Sequence, residues 1–251
     1  LPLSAEGEAL SSRHGVAGDW WTKEGGWSWP QLPDRRLLSR FVREPHRVRP
    51  EAVLAVMVPA GRIDTETWAG AMRGLFGPTW SPDPFWICAV RVDDARRVVF
   101  GRDGSPATDM ATAVGASSAI PGWFKPVEIA GRSYIDGGTH SPTNADVLRD
   151  EQLDLVIVSS PMSTATRESL LASRQTVRRH FRMRLGMEVR KLREAGTPVL
   201  VLQPSDADLE VMGNAAMDES RSAAVVEQAH ETTARRLNSA HNAEALELLA
   251  A

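Results

Sequence analysis

The run Tyr134-Ile135-Asp136-Gly137-Gly138 places a carboxylate where a short apolar stretch meets two glycines. Tyr and Ile read as the end of a strand, which fixes the direction of the acid, and the glycines admit a second backbone or a substrate at close range. A carboxylate held this way can serve as a general base. Asp-Gly is also a common turn dipeptide, so the motif alone leaves a plain chain reversal open. Upstream, Gly115-Ala116-Ser117-Ser118-Ala119 approximates a G-x-S-x-G serine elbow but ends in Ala. An elbow must follow a buried strand and open a helix. Ala111 to Val114 has no β-branched run and suits a helix, so Ser117 reads as a structural turn residue and no nucleophile is assigned.

The wider segment from Asp109 to Leu148, DMATAVGASSAIPGWFKPVEIAGRSYIDGGTHSPTNADVL, resembles the patatin-like phospholipase family, most closely its soluble bacterial members. The matching positions are Ala116, Ser117, Ala119, Pro121 and Phe124, then the motif Asp136, Gly137 and Gly138. More loosely, the resemblance extends through DLVIVSSPMS to the tail NAAMDESRSAAVVEQA. It implies an α/β fold, a patatin-like three-layer α/β/α sandwich with a largely parallel central sheet. It also implies a Ser/Asp dyad in place of a triad. The serine attacks an ester carbonyl of a lipid, Asp136 takes its proton, and a glycine-rich loop binds the oxyanion. Neither that loop nor a G-x-S-x-G elbow precedes Asp136 in these 251 residues. The expectation is a domain lacking its N-terminal strands, carrying only the Asp of the dyad and inactive as it stands. Two alternatives stay open: a non-catalytic lipid-binding or interaction module, and an unrelated α/β serine hydrolase using Ser117 with His140.

Several elements must position Asp136. Trp68, Met72, Leu75 and Phe76 form a helical stripe between Asp64 and Phe76. PFWICAVRV and RRVVFG read as paired strands around Asp93-Asp94, and VEIAGRSYID as a hairpin turning at Ala130-Gly131. Ser141-Pro142 predicts a helix start just after the motif. LDLVIVSS and TPVLVLQP read as strands buried on both faces. Between them a basic helix over 166–195 carries Arg174, Arg178, Arg179, Arg182, Arg184, Arg190, Lys191 and Arg193, with Val177, Phe181 and Leu185 as its packing stripe. Two helices come after them, separated near Gly213-Asn214.

One domain over 1–251 is expected, with a Trp-rich loop and helical region at 1–50 and a helical tail at 205–251. Trp20, Trp21, Trp27 and Trp29 in the first part could form a flap over the core or a lipid-facing entrance. A net charge of -3 and a pI near 6.1 argue against nucleic-acid binding by bulk attraction. The histidines lack metal-ligand spacing and there is a single cysteine, so neither a metal nor another cofactor is expected. Lone Cys88 fits a reducing compartment, which suggests a cytoplasmic protein with a peripheral membrane contact left open. The partner expected is a lipid or ester substrate.

Overall fold

The computed structural model describes residues 35–44, 49–77, 79–165, 173–213, 219–239 and 247–248. The four tryptophans at 20, 21, 27 and 29 lie outside the described residues. Contacts divide the chain into two compact units, Leu1–His140 and Ser141–Ala251.

The first unit carries helices α1 (Arg35–Arg43), α2 (Pro50–Met57) and α3 (Glu66–Phe76). Strands β1 (Ile87–Arg91) and β2 (Arg96–Phe100) come next, then α4 (Met110–Ser117) and the hairpin β3 (Val127–Ile129) and β4 (Arg132–Asp136). The sheet order is β2-β1-β4-β3, antiparallel at each step. Both expected hairpins form. Ala130 and Gly131 turn the second one, with φ of 50 and 71, the left-handed pair that matches the twist of two flanking strands.

Strand alternation sorts the core into two layers. Ile87, Ala89, Phe100 and Tyr134 pack with Met110, Ala113 and Ala116 of α4. On the opposite face Val90 and Ile135 pack with Leu37 of α1 and Ala52 and Val56 of α2. Helix, sheet and helix therefore form three layers, as expected of an α/β sandwich. Phe100 and Tyr134 are fully buried and meet edge to face at 5.2 Å; side chains of this kind contribute roughly 1.5–3 kcal/mol each on burial.

Local chemistry explains α4. Asp109 caps it, accepting from the backbone N–H of Thr112 at 3.0 Å, and Arg73 of α3 reaches Asp109 at 3.3 Å and the Thr112 hydroxyl at 3.1 Å. Ala111, Ala113, Gly115 and Ala116 are all buried. Their small size lets α3 and the sheet approach closely, which is why an alanine-rich stretch without a strong apolar stripe becomes a core helix.

In the second unit β5 (Val156–Ser159) pairs parallel with β6 (Val199–Leu202) across α5 (Ser173–Glu194), a β-α-β crossover. Helices α6 (Asp206–Met212) and α7 (Ser222–Leu237) complete it. Parallel pairing between strands thus belongs to this unit, and the larger sheet is antiparallel because hairpins, with no crossover helices, connect β1 to β2 and β3 to β4. β5 is buried on one face only: Val156 and Val158 are inside, whereas Ile157 is 49% exposed.

Two local expectations are corrected here. Ser141-Pro142 starts no helix, because Asn144 adopts a left-handed φ of 49 and donates its amide to the Ser141 carbonyl at 2.6 Å. The chain then makes a short 3₁₀ turn, Ala145–Leu148, whose first N–H bonds the fully buried Glu188 at 3.0 Å. The packing stripe of α5 is Leu185, Val189 and Leu192, and Val177 is exposed. Its cations are also tied down more than their density suggested. Arg178 donates to the carbonyls of Pro161 and Ser163, Arg193 to that of Val199, and Lys191 pairs with Asp146 at 3.0 Å.

Candidate functional site

Asp136 is the last residue of β4, opposite Ala89 in β1 and two residues after Tyr134, so it belongs to the α4 face of the sheet. Its own N–H donates to the carbonyl of Ala119, just past the end of α4, at 3.0 Å. The strand and the helix end thereby hold the acid from two sides. Beyond it the chain makes a 3₁₀ turn, Gly137–Thr139, closed by the Thr139 hydroxyl donating to the Asp136 carbonyl at 2.7 Å. Asp136 therefore precedes this tight turn rather than an α-helix. Its sheet neighbours are antiparallel, so the rule that locates ligands at the carboxyl ends of parallel strands does not bear on it.

The two glycines have separate duties. A Cβ on Gly137 would lie 2.1 Å from the carbonyl oxygen of Cys88, an overlap that only glycine avoids. A Cβ on Gly138 would lie 3.0 Å from the Asp136 carboxylate, and it is the Gly138 N–H that reaches that oxygen at 2.6 Å. Close approach of backbone to backbone and of backbone to carboxylate is what the paired glycines provide.

Burial pushes the Asp136 carboxyl above its usual value, and the Gly138 N–H, which favours the ionised form, pulls only partly back. Among the described residues no cation takes part in that balance. A carboxylate made more basic by its surroundings, with one hydrogen bond from the backbone, keeps capacity to accept a proton.

Other predicted residues fall around this turn. Ala119 is buried, and Ile120 and Trp123 are each 46% exposed. Pro121 starts the bend that brings Trp123 and Phe124 onto the segment around Gly61 and Ile63. A Cβ on Gly61 would overlap the Trp123 backbone at 2.0 Å, so that contact too is backbone on backbone. Ser117 closes α4. It follows a helix and not a strand, so the elbow required by the reading that pairs it with His140 is not formed. His140 caps the 3₁₀ turn through its N–H to Gly137 at 3.0 Å, and its carbonyl accepts from Arg49 at 3.1 Å. Sequence reasoning missed Ala119 as the acceptor that anchors Asp136, and Arg49 as a brace below the turn. Neither leaves a signal in residue type, since one acts through its carbonyl and the other lies 91 residues away along the chain.

A family model described as Patatin-like phospholipase matches residues 11–149, more than half of the chain and all of the Asp136 turn. The chain belongs to the patatin-like phospholipase family. A search of curated proteins finds no match. For a patatin-like chain the α/β architecture is the expected one, and lipids are the substrate class of the family. Among the described residues no helix is long and apolar enough to cross a membrane, and no group of three His, Cys, Asp or Glu side chains could hold a metal ion.

Proposed function

We propose that Asp136 is the general base of a Ser/Asp dyad that hydrolyses lipid acyl esters, with the serine contributed by a segment that these 251 residues do not contain. The observation that carries the reading is the environment of Asp136: a carboxyl at a strand end, raised by burial, with no cationic partner among the described residues and held by one backbone N–H. In this scheme the serine oxygen attacks the ester carbonyl while its proton passes to the Asp136 carboxylate. The acyl-enzyme is then released by water activated at the same carboxylate. Gly137 and Gly138 act as supports that keep the acid at the turn.

The reading is tested by joining a G-x-S-x-G elbow segment from a patatin-like protein to this chain and measuring release of fatty acid. Asp136→Asn is expected to lower kcat about 10⁴-fold, the scale for losing the acid of a serine hydrolase. The chain alone is expected to give no Asp136-dependent hydrolysis. Turnover by the joined protein that is indifferent to Asp136→Asn would exclude the proposal.

A second reading, lipid binding without hydrolysis, is favoured by the exposed Ile120 and Trp123 close after the Ala119 anchor. Liposome binding that Trp123→Ala weakens, in a joined protein that never turns over ester, would select it.

A further inference from the structure

Several cations of α5 are used within its own unit. Arg178 and Arg193 donate to the carbonyls of Pro161, Ser163 and Val199, and Lys191 reaches the Asp146 carboxylate. The inward side of the helix is Leu185, Val189 and Leu192, packed with Val156, Val158 and Val199 of the two strands. The opposite side takes part in none of this.

At 3.6 residues per turn, positions 179, 183, 187 and 190 fall along one line of the helix, facing away from the inward stripe. They hold Arg179, Met183, Met187 and Arg190. All four are exposed, Met183 by 55% and Met187 by 40%. Beside them Gly186 has nothing within 4 Å of where a Cβ would lie. From Arg179 to Arg190 the line is about 16 Å long at the rise of an α-helix. The outer side of a surface helix is ordinarily polar. Here two flexible apolar side chains, one turn apart, stand between two arginines.

The charge on this side is open to an outside partner. Arg179 makes no hydrogen bond or ion pair among the described residues, and neither does the half-buried Arg182 on its flank. Arg190 pairs with Glu194 at 3.5 Å, but with both side chains more than half exposed the pair holds weakly in water. The other acid of the helix, Glu188, is buried on the far side, where it bonds Thr143 and Ala145.

Unbranched apolar side chains that bend into an irregular acyl layer, flanked by guanidinium groups that reach the headgroups, characterise a helix lying in a lipid interface. We propose that this face of α5 docks on an anionic lipid bilayer, with Met183 and Met187 among the acyl chains and Arg179, Arg182 and Arg190 against the phosphates. The unpaired charge of Arg179 and Arg182 complements a negative surface. Lipids are the substrate class of the family, which favours a bilayer over an acidic protein as the occupant. Docking needs no serine, so the proposal stands apart from the Ser/Asp chemistry, and it uses other residues than Ile120 and Trp123.

The experiment is cosedimentation of the 251-residue chain with phosphatidylcholine vesicles, with and without phosphatidylserine, at about 0.15 M NaCl and at higher salt. The expected result is binding that requires phosphatidylserine and fades as salt rises. Arg179→Glu weakens it at least about tenfold, because each basic residue near such a surface contributes a factor of about five and the reversal adds repulsion. Met183→Gln combined with Met187→Gln weakens it about fivefold or more. Melting temperatures stay unchanged, since all three side chains are exposed. Arg149→Glu, the same change of charge at another exposed position, leaves binding as it was. Absence of binding to phosphatidylserine vesicles overturns the proposal and turns the face into a candidate contact for an acidic protein. Binding that Trp123→Ala removes, or an affinity that either α5 variant leaves equal to that of the wild type, overturns it as well.

Discussion

The two ends of the β1 and β4 pair each hold a carboxyl, and the two are treated in opposite ways. Asp94 lies in the β1–β2 turn among arginines. Burial alone would raise it, but the hydrogen bond and charge of Arg91, the Arg96 N–H and the charge of Arg40 together hold it below the ordinary range. Asp136 has the burial and one N–H but no cation among the described residues, and it is raised. The sheet is common to both. What separates them is the company each turn recruits: a guanidinium cluster makes a permanent anion, and a glycine turn makes an acid that can exchange its proton. A carboxylate neutralised by salt bridges is a poor base, and an unpaired one is a costly fastener.

The sharpest way to break the comparison is Gly137→Ala. Its Cβ would sit 2.1 Å from the Cys88 carbonyl, so β1 and the turn must separate. The expected loss is about 3 kcal/mol or more, read from denaturant unfolding, and a loss under about 1 kcal/mol would mean that the Asp136 turn is less tightly built than this close approach implies.

Next comes Asp94→Asn, which takes from Arg91 the nearer of its two carboxylates and leaves it Asp93 alone. With side chains only 12% and 20% exposed, the expected cost is about 2 kcal/mol at neutral pH, below that of breaking a fully buried pair. Because the folded Asp94 carboxyl lies below its unfolded value, its stabilisation is present above about pH 3.9 and is lost as pH falls through the folded value. Wild type should therefore weaken on acidification more steeply than the variant.

Asp136→Asn should do the reverse, and on a smaller scale. The folded carboxyl is raised, so its contribution is fully present below about pH 3.9 and is lost as pH rises through the folded value. The variant should melt higher than wild type at neutral pH, with the difference closing in acid. Equal slopes for the two variants in a melting series across pH would erase the distinction between the two ends.

The smallest effect concerns the hairpin that carries Arg132 and Asp136. Ala130 has a φ of 50, a conformation that Asn tolerates better than Ala. Ala130→Asn should add about 0.5 kcal/mol, and destabilisation instead would show that the turn is held by contacts at Ala130.

Local pattern made much of this legible. Both hairpins of the first unit, the capped alanine helix and the Asp136 turn arise from alternation, turn chemistry and glycine placement within a few residues of each other. The misreadings came where a distant residue decides. Ser141-Pro142 satisfies every local rule for a helix start, yet Glu188, with its Oε2 bonded to the Thr143 hydroxyl at 2.6 Å and to the Ala145 N–H at 3.0 Å, stabilises a different path. Likewise Val177 fits the helical period of α5 but is exposed, and it is Leu185, Val189 and Leu192 that pack with Val156, Val158 and Val199. Asp93-Asp94 read only as a turn, because the arginines that give it meaning come from three separate elements, α1, the β1–β2 hairpin and β4.

The turn at Ala130-Gly131 also acts as a counter of parity. Residues alternate between two environments along β4, so the length of the loop before it decides whether Tyr134 faces α4 while Ile135 faces α1 and α2. A one-residue insertion that shifted the strand would send the phenol ring toward the aliphatic side and take the Asp136 carboxyl off the α4 face. Length changes in this hairpin are expected to survive in even steps and to fail in odd ones, which makes two small residues the place where the spacing of the whole acid turn is set.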